Sequence, residues 1–343
     1  MRKGAAWMSC VAVVMAIGGT AHTQPQAQAQ AQAQPETLSP GFMNREEVLH
    51  YSPEWTGERF PDGRPKVPDA ILDRMRFVTL EEAWATLRSA GFNHQYEDGW
   101  LTLFPDKVLV GRALTAQWVP GRPDIQKVIE ADGGRMRRIG EQNAWPVDML
   151  QPRDVYVADH FSLKQDGPSI GDNVGNAIYA RTGNGIVYDG AVRDIEGLKE
   201  LPNFTAFVRS YDPSHHFGSL RTGARLNSTM VSINGPTRIG KATVMPGDVV
   251  LGRDGGVLFI PAQLAERVVR ESEETRLTDI FGHQRLREKK YTAGQIDARW
   301  SAAIEADFMT WLKANRTRLP VPPESVDYVI MTRPGRLAAA PGN

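Results

Sequence analysis

Two short loops, joined by one helix-shaped and one strand-shaped segment, constrain this chain more than any other feature. The first reads Gly171-Asp172-Asn173-Val174 and the second Asp189-Gly190-Ala191-Val192-Arg193-Asp194. Asp172 can cap a helix that stops at Gly183, residues 186–188 can form the next strand, and the chain then emerges at Arg193-Asp194. A helix start presents unpaired N–H groups and a positive dipole end, so it receives a carboxylate readily. Gly171 would let the backbone approach a ligand closely. Arg193 can grip a carboxylate with two parallel bonds and steady developing negative charge. Asp194 is a hard oxygen ligand suited to Mg²⁺ or Mn²⁺, which keep several waters and need few protein ligands. If the loops meet, they make a site for a small anionic substrate with a divalent metal. Each loop also has a plainer reading, with Asp172 as a cap only, Asp194 capping a short helix through Leu198, and Arg193 paired to a surface carboxylate.

The surrounding pattern is mixed α/β. Thr79-Leu80-Glu81-Glu82 is a capping box opening a helix over 80–89, with Trp84 on its apolar face. Strand-like runs follow at 108–110, 114–119, 154–159, 186–188, 204–208 and 229–233, and a helix is expected over 124–131. Asp254-Gly255-Gly256 is a hairpin turn between runs at 249–251 and 257–260. Strands interspersed with helices exclude a bundle or a sandwich of strands alone. Amphipathic segments at 262–276 and 297–314 add helices, and the Pro-rich tail from 319 reads as loosely structured. The spacing of Trp300, Phe308 and Trp311 points to packing rather than to a cofactor.

Forty basic residues against forty acidic leave no field of one sign to draw nucleic acid or a membrane surface. Arg2 and Lys3, then an apolar run over 5–18 and small residues to Ala21, form an export signal, with cleavage after Ala21 or Thr23. That run is shorter than the ~20 residues of a spanning helix, so no membrane attachment is expected once it is removed. The single cysteine, Cys10, falls inside it. Disulfides, thiolate catalysis and Cys-ligated zinc are thereby excluded from the processed chain. The chain divides into a leader (1–23), a disordered Gln/Ala/Pro spacer and irregular arm (24–66), an α/β domain (67–270), and a helical extension with a Pro-rich tail (271–343). A periplasmic or secreted protein is the expectation.

The two loops together resemble the signature of the RraA-like proteins, which include regulators of ribonuclease E activity and class II 4-hydroxy-4-methyl-2-oxoglutarate aldolases. Residues 79–91, 110–115, 154–159 and 246–250 fall in the family's order, and the likeness covers about 68–270. It implies a swivelling β/β/α sandwich, assembled as a homotrimer with sites between subunits; the N-terminal arm and C-terminal helices are additions. By the same resemblance Asp194 holds Mg²⁺ or Mn²⁺, Arg193 contacts a small 2-oxo acid, Gly171 to Val174 supply backbone donors, and Asp172 positions a water that acts as base. The implied activity is retro-aldol cleavage of a 4-hydroxy-2-oxo acid to pyruvate, or decarboxylation of oxaloacetate. A non-catalytic regulator and a periplasmic ligand-binding protein are the alternatives, although an exported chain cannot meet a cytoplasmic ribonuclease. The aldolases carry an acid three residues beyond the metal-binding aspartate, where this chain has Gly197.

His160 follows Asp159 where small residues are usual, and reads as filling space or lining the site. His215-His216 reads as a solvated loop, since adjacent histidines rarely converge on one ion. Gly183-Asn184-Gly185 is a helix stop rather than a dinucleotide fingerprint. No Walker motif, HExxH or nucleophile elbow is present.

Overall fold

The computed structural model describes residues 44–218 and 226–339. The leader and the Gln/Ala/Pro spacer lie outside them. The arm, expected to be irregular, contains helix α1 (Arg45–Tyr51), started by a capping box between Asn44 and Glu47. Arg64, further along the arm, is fully buried, paired with Asp62 at 2.7 Å and Asp154 at 2.9 Å. A charge-rich segment looks solvated by composition; this one is tied down by a local partner and by one distant in the chain, Asp154.

Helices α2 (Asp69–Met75) and α3 (Leu80–Ser89) follow, the latter opened by the Thr79–Glu82 capping box. Trp84, expected in the core, is 41% exposed and lies under the Arg88 guanidinium at 4.6 Å. Ala83 and Leu87 carry the buried face instead.

The sheet is assembled from β1 (Tyr96–Glu97), β2 (Leu101–Leu103), β3 (Leu109–Pro120), β4 (Asp154–Leu163), β5 (Ile186–Val192), β6 (Ala206–Tyr211), β7 (Ser228–Ile233), β10 (Val249–Arg253) and β11 (Gly256–Ile260). Its order is β1-β11-β10-β3-β4-β5-β6-β2, with β7 pairing the far half of β3. The runs expected at 108–110 and 114–119 are one strand, β3. Strands β3 to β6 are mutually parallel and their neighbours antiparallel. Near-continuous apolar runs suit parallel strands covered on both faces. Helices α4 (Pro123–Arg135), α5 (Asp172–Thr182) and α6 (Ile195–Lys199) make the crossovers.

Alternation along the strands sorts the core into two faces. Leu114, Tyr156, Ala158, Ile186 and Tyr188 point one way, into a cluster with Ile178 of α5 and Leu198 of α6. Ala113, Val155, Val157 and Val187 point the other way, onto the hairpin β8 (Thr237–Ile239) and β9 (Ala242–Val244). On the helical side Leu251 and Leu258 meet α2, α3 and the long helix α7 (Ala265–Arg287). Hairpin, large sheet and helices form three layers, the β/β/α arrangement expected.

Beyond the sheet, the amphipathic stretch at 297–314 is broken between α8 (Ala293–Asp297) and α9 (Ala302–Asn315). The tail expected to be loose contains helix α10 (Pro323–Ala339). Pro323 occupies the first helical position, where proline is favoured, so its presence marked a helix start. Val326 and Val329 of α10 join Leu277, Phe281, Phe308 and Trp311 in a separate apolar cluster. Among the described residues, no helix is long and apolar enough to cross a membrane.

Candidate functional site

The parallel strands β4, β5 and β6 end on the same side, and three loops leave from their carboxyl ends. Ligands of open α/β sheets bind at such ends. A lone parallel bridge between Ile170 and Val192, with Arg193 N donating to Ile170 O at 3.0 Å, draws the first loop against the end of β5. Gly171 therefore lies directly on Arg193 and Asp194. A Cβ at 171 would stand 2.8 Å from Arg193 Nε and collide with Asp194 Oδ2. The two loops read from the sequence do meet.

Their side chains are arranged as follows. Asp172 N lies 3.4 Å from Asp194 Oδ2, and Arg193 Nε lies 3.3 Å from the same oxygen. Asp194 adopts the left-handed conformation, φ +53°, at the N-cap of α6, and its side chain makes no capping bond. Arg193 and Asp194 remain 28% and 42% exposed, so both can meet a solute. Asn173 is exposed, whereas Val174 packs partly into the core, leaving only its backbone for a ligand.

Asp172 departs from expectation. The N-cap of α5 is Gly171, without a side-chain cap, and Asp172 is the first helical residue. Its Oδ1 accepts from Asn173 N at 2.7 Å. The bridge at Ile170 sets where the helix begins, and the carboxylate is thereby turned towards α6. Gly197 accommodates it: a Cβ there would come within 2.8 Å of Asp172 Cβ and 3.1 Å of Oδ2. The space beside Gly197 is thus taken by the Asp172 side chain.

Asp189, at the head of the second loop motif, is buried and serves the scaffold. Its Oδ1 accepts from Arg209 Nε at 2.7 Å and from Ser162 Oγ at 3.0 Å. His160 is wholly buried, its ring stacked on Tyr188 at 5.3 Å and edge-on to Trp118 at 5.4 Å. Burial, reinforced by neighbouring His216, lowers it to about 3, so the ring is neutral and fills the core under the site.

The reading of 215–216 as a solvated loop holds for His215, which is exposed, and is corrected for His216. His216 packs edge-on against Trp118 at 5.7 Å, and burial lowers it to about 4. His215 Nδ1 lies 2.5 Å from Arg193 Nη1. No sequence signal announced this contact, because it depends on where the loop after β6 crosses the end of β5.

Among the described residues, no three His, Cys, Asp or Glu side chains gather as a metal cage. Two carboxylates, Asp194 and Asp172, stand at the first turn of α6. Such a sparse set of hard oxygens fits Mg²⁺ or Mn²⁺ retaining their waters, and does not fit a tetrahedral zinc site.

Residues 66–259 match the model of the RraA-like family, aldolase/RraA. A putative 4-hydroxy-4-methyl-2-oxoglutarate aldolase of Halalkalibacterium halodurans is 34% identical over 95 residues, 28% of this chain. The chain spans 40% of the length of that relative. Among solved structures, Streptomyces coelicolor RraAS2, described as an unusual member of the RNase ES inhibitor RraA family, superposes with a TM-score of 0.52 at 22% identity, over 64% of this chain and 98% of that one. A Pseudomonas syringae protein gives a TM-score of 0.51 at 20% identity, over 68% and 100%. Both likenesses concern the fold.

Proposed function

Because the chain belongs to the RraA-like family, we propose that it is a divalent-metal-dependent carbon–carbon lyase, cleaving a 4-hydroxy-2-oxo acid to pyruvate and decarboxylating oxaloacetate. The observation that carries this reading is the convergence of Arg193 and Asp194 with the start of α5. Asp194 would hold Mg²⁺ or Mn²⁺, which supplies positive charge to the oxo-acid oxygens and makes the carbon chain an electron sink. Arg193 grips the substrate carboxylate, and its charge grows in value as negative charge develops. The amides of Gly171 to Val174 orient the same end of the substrate.

Asp172, directed across Gly197, takes the proton of the 4-hydroxyl through a water. The C3–C4 bond then breaks, its electron pair stays on the pyruvate fragment, and the other fragment leaves as a carbonyl compound. For oxaloacetate the bond to the departing carboxylate breaks instead and carbon dioxide leaves. The relative from Halalkalibacterium halodurans, named for an aldolase, supports the reading.

Assembly as a homotrimer, and export directed by residues 1–23, belong to the same proposal. Gly197 favours a second reading, a non-catalytic regulator that binds a protein, because the acid of the aldolases is missing there. One panel separates the two: 2-oxo acids including oxaloacetate, assayed for pyruvate with Mg²⁺, with Mn²⁺ and with EDTA. Pyruvate release abolished by EDTA supports the lyase; its absence across the panel sinks that reading.

A further inference from the structure

The guanidinium of Arg193 meets an acid at one nitrogen and an imidazole ring at another. Its Nη1 faces His215 Nδ1 at 2.5 Å. A guanidinium can only donate, so this ring nitrogen accepts, and the proton of the neutral ring sits on Nε2. Among the described residues, the carboxylate within ion-pair reach of Arg193 is Asp194, 3.3 Å from Nε. That carboxylate is the one assigned above to a cation.

The ring is delivered by an anchored loop. Before it, Asp212 N donates to Val192 O at 3.0 Å, continuing the β5–β6 pairing. Asp212 Oδ1 accepts from Ser214 N at 3.0 Å, and Ser214 Oγ accepts from Gly167 N at 2.9 Å. After it, the His216 ring packs on Trp118 at 5.7 Å. Phe217 N donates to Asn227 Oδ1 at 2.9 Å, and Asn227 N returns to Phe217 O at 3.0 Å. Fixed on both sides, residue 215 has little freedom to leave Arg193.

We propose that His215 is the positioning residue for Arg193, holding the guanidinium in direction without setting a second negative charge beside it in addition to Asp194. The inference rests on the lyase reading of the site. An acid in the same place would hold Arg193 as firmly and cancel the charge that a carboxylate ligand needs. A neutral acceptor separates orientation from neutralisation.

The test uses the full chain and the variants His215→Ala, His215→Asn and His215→Asp. Dissociation constants for pyruvate and for oxalate are measured by calorimetry with and without Mg²⁺, beside oxaloacetate turnover and melting temperature. Asparagine places a neutral oxygen where Nδ1 stands, and aspartate places a charged one. His215→Ala should weaken ligand binding about tenfold and raise KM more than it lowers kcat. His215→Asn should return binding to within about threefold of wild type, and His215→Asp should bind no better than the alanine variant. Wild-type affinity in the aspartate variant overturns the charge argument, and wild-type affinity in the alanine variant overturns positioning. If the alanine variant melts early, the Asn and Asp pair decides between them. Wild-type protein that binds neither ligand and turns over no oxo acid removes the lyase reading, and the role of His215 with it.

Discussion

Replacing Gly171 with alanine puts a methyl group where the site has no space. The added Cβ would lie 2.8 Å from Arg193 Nε and 3.1 Å from Arg193 Cγ, and would collide with Asp194 Oδ2. The backbone is extended there, φ −124°, so alanine itself is unstrained. Relief must come from Arg193 and Asp194, whose part-exposed side chains can swing. Overpacking a rigid core costs about 1–3 kcal/mol; movable neighbours keep the expected cost near ~1 kcal/mol, a melting shift of roughly 2–4 °C. The chemistry is less tolerant, because displacing a reacting group by about 1 Å can cost ~10²-fold. Gly183→Ala is the control. Gly183 sits at φ +64° with no atom within 4 Å of an added Cβ, so alanine there is strained yet touches nothing. It should lose about 1 kcal/mol and keep full turnover. Melting curves and pyruvate release, coupled to lactate dehydrogenase, read both quantities. Wild-type turnover in Gly171→Ala would refute the argument that Arg193 and Asp194 act from their observed positions.

Three further outcomes are expected. Asp194→Ala should reduce oxaloacetate turnover to the level of EDTA-treated wild type, a loss on the order of 10³-fold, with the melting temperature nearly unchanged; metal-dependent turnover in the variant would contradict the assignment. Burial pushes the Asp248 carboxyl up to about 7, against the Met245 and Ala262 N–H groups that favour the charged form. With the folded value above the unfolded one, its contribution is whole below about pH 4 and is lost as pH rises towards 7. That difference is worth on the order of 4 kcal/mol, and Asp248→Asn should flatten this part of the stability–pH curve in urea melts. His160 and His216 behave oppositely: their folded values, about 3 and 4, lie below the unfolded one. Their contribution is present above about pH 6.5 and is lost as pH falls through those values, so His160→Phe should lower the acid-unfolding midpoint followed by circular dichroism.

Much of the fold was legible because its signals are local. The Thr79–Glu82 capping box, the Gly183 stop and the Asp254-Gly255 turn depend on a few adjacent residues, and each sits where expected. The apolar runs at 154–159 and 186–188 were readable as strands without knowledge of their order in the sheet. Local signals failed where a distant partner decided. Trp84 fits a helix's apolar stripe, yet the packing of α3 on the rest of the domain buries Ala83 and Leu87 and leaves Trp84 exposed. Asp172 has the chemistry of a cap but stands one residue past it, because the Ile170–Val192 bridge leaves Gly171 as the N-cap. The Pro-rich tail from 319 reads as loosely structured, although one of its prolines begins α10 over a buried apolar face.

The sequence by itself determined the chemical inventory of the site: a glycine, two aspartates and an arginine on two loops separated by one helix and one strand. Those types were readable because each depends on its own functional group. Tertiary structure alone decided how they meet. Parallel pairing of β4, β5 and β6 sets the loops at one end of the sheet, Gly197 makes room for Asp172, and an anchored loop carries His215 to Arg193. Such contacts follow from which strands pair and in what register. That choice is made by burial summed over the whole sheet, and no stretch of a few residues can encode it.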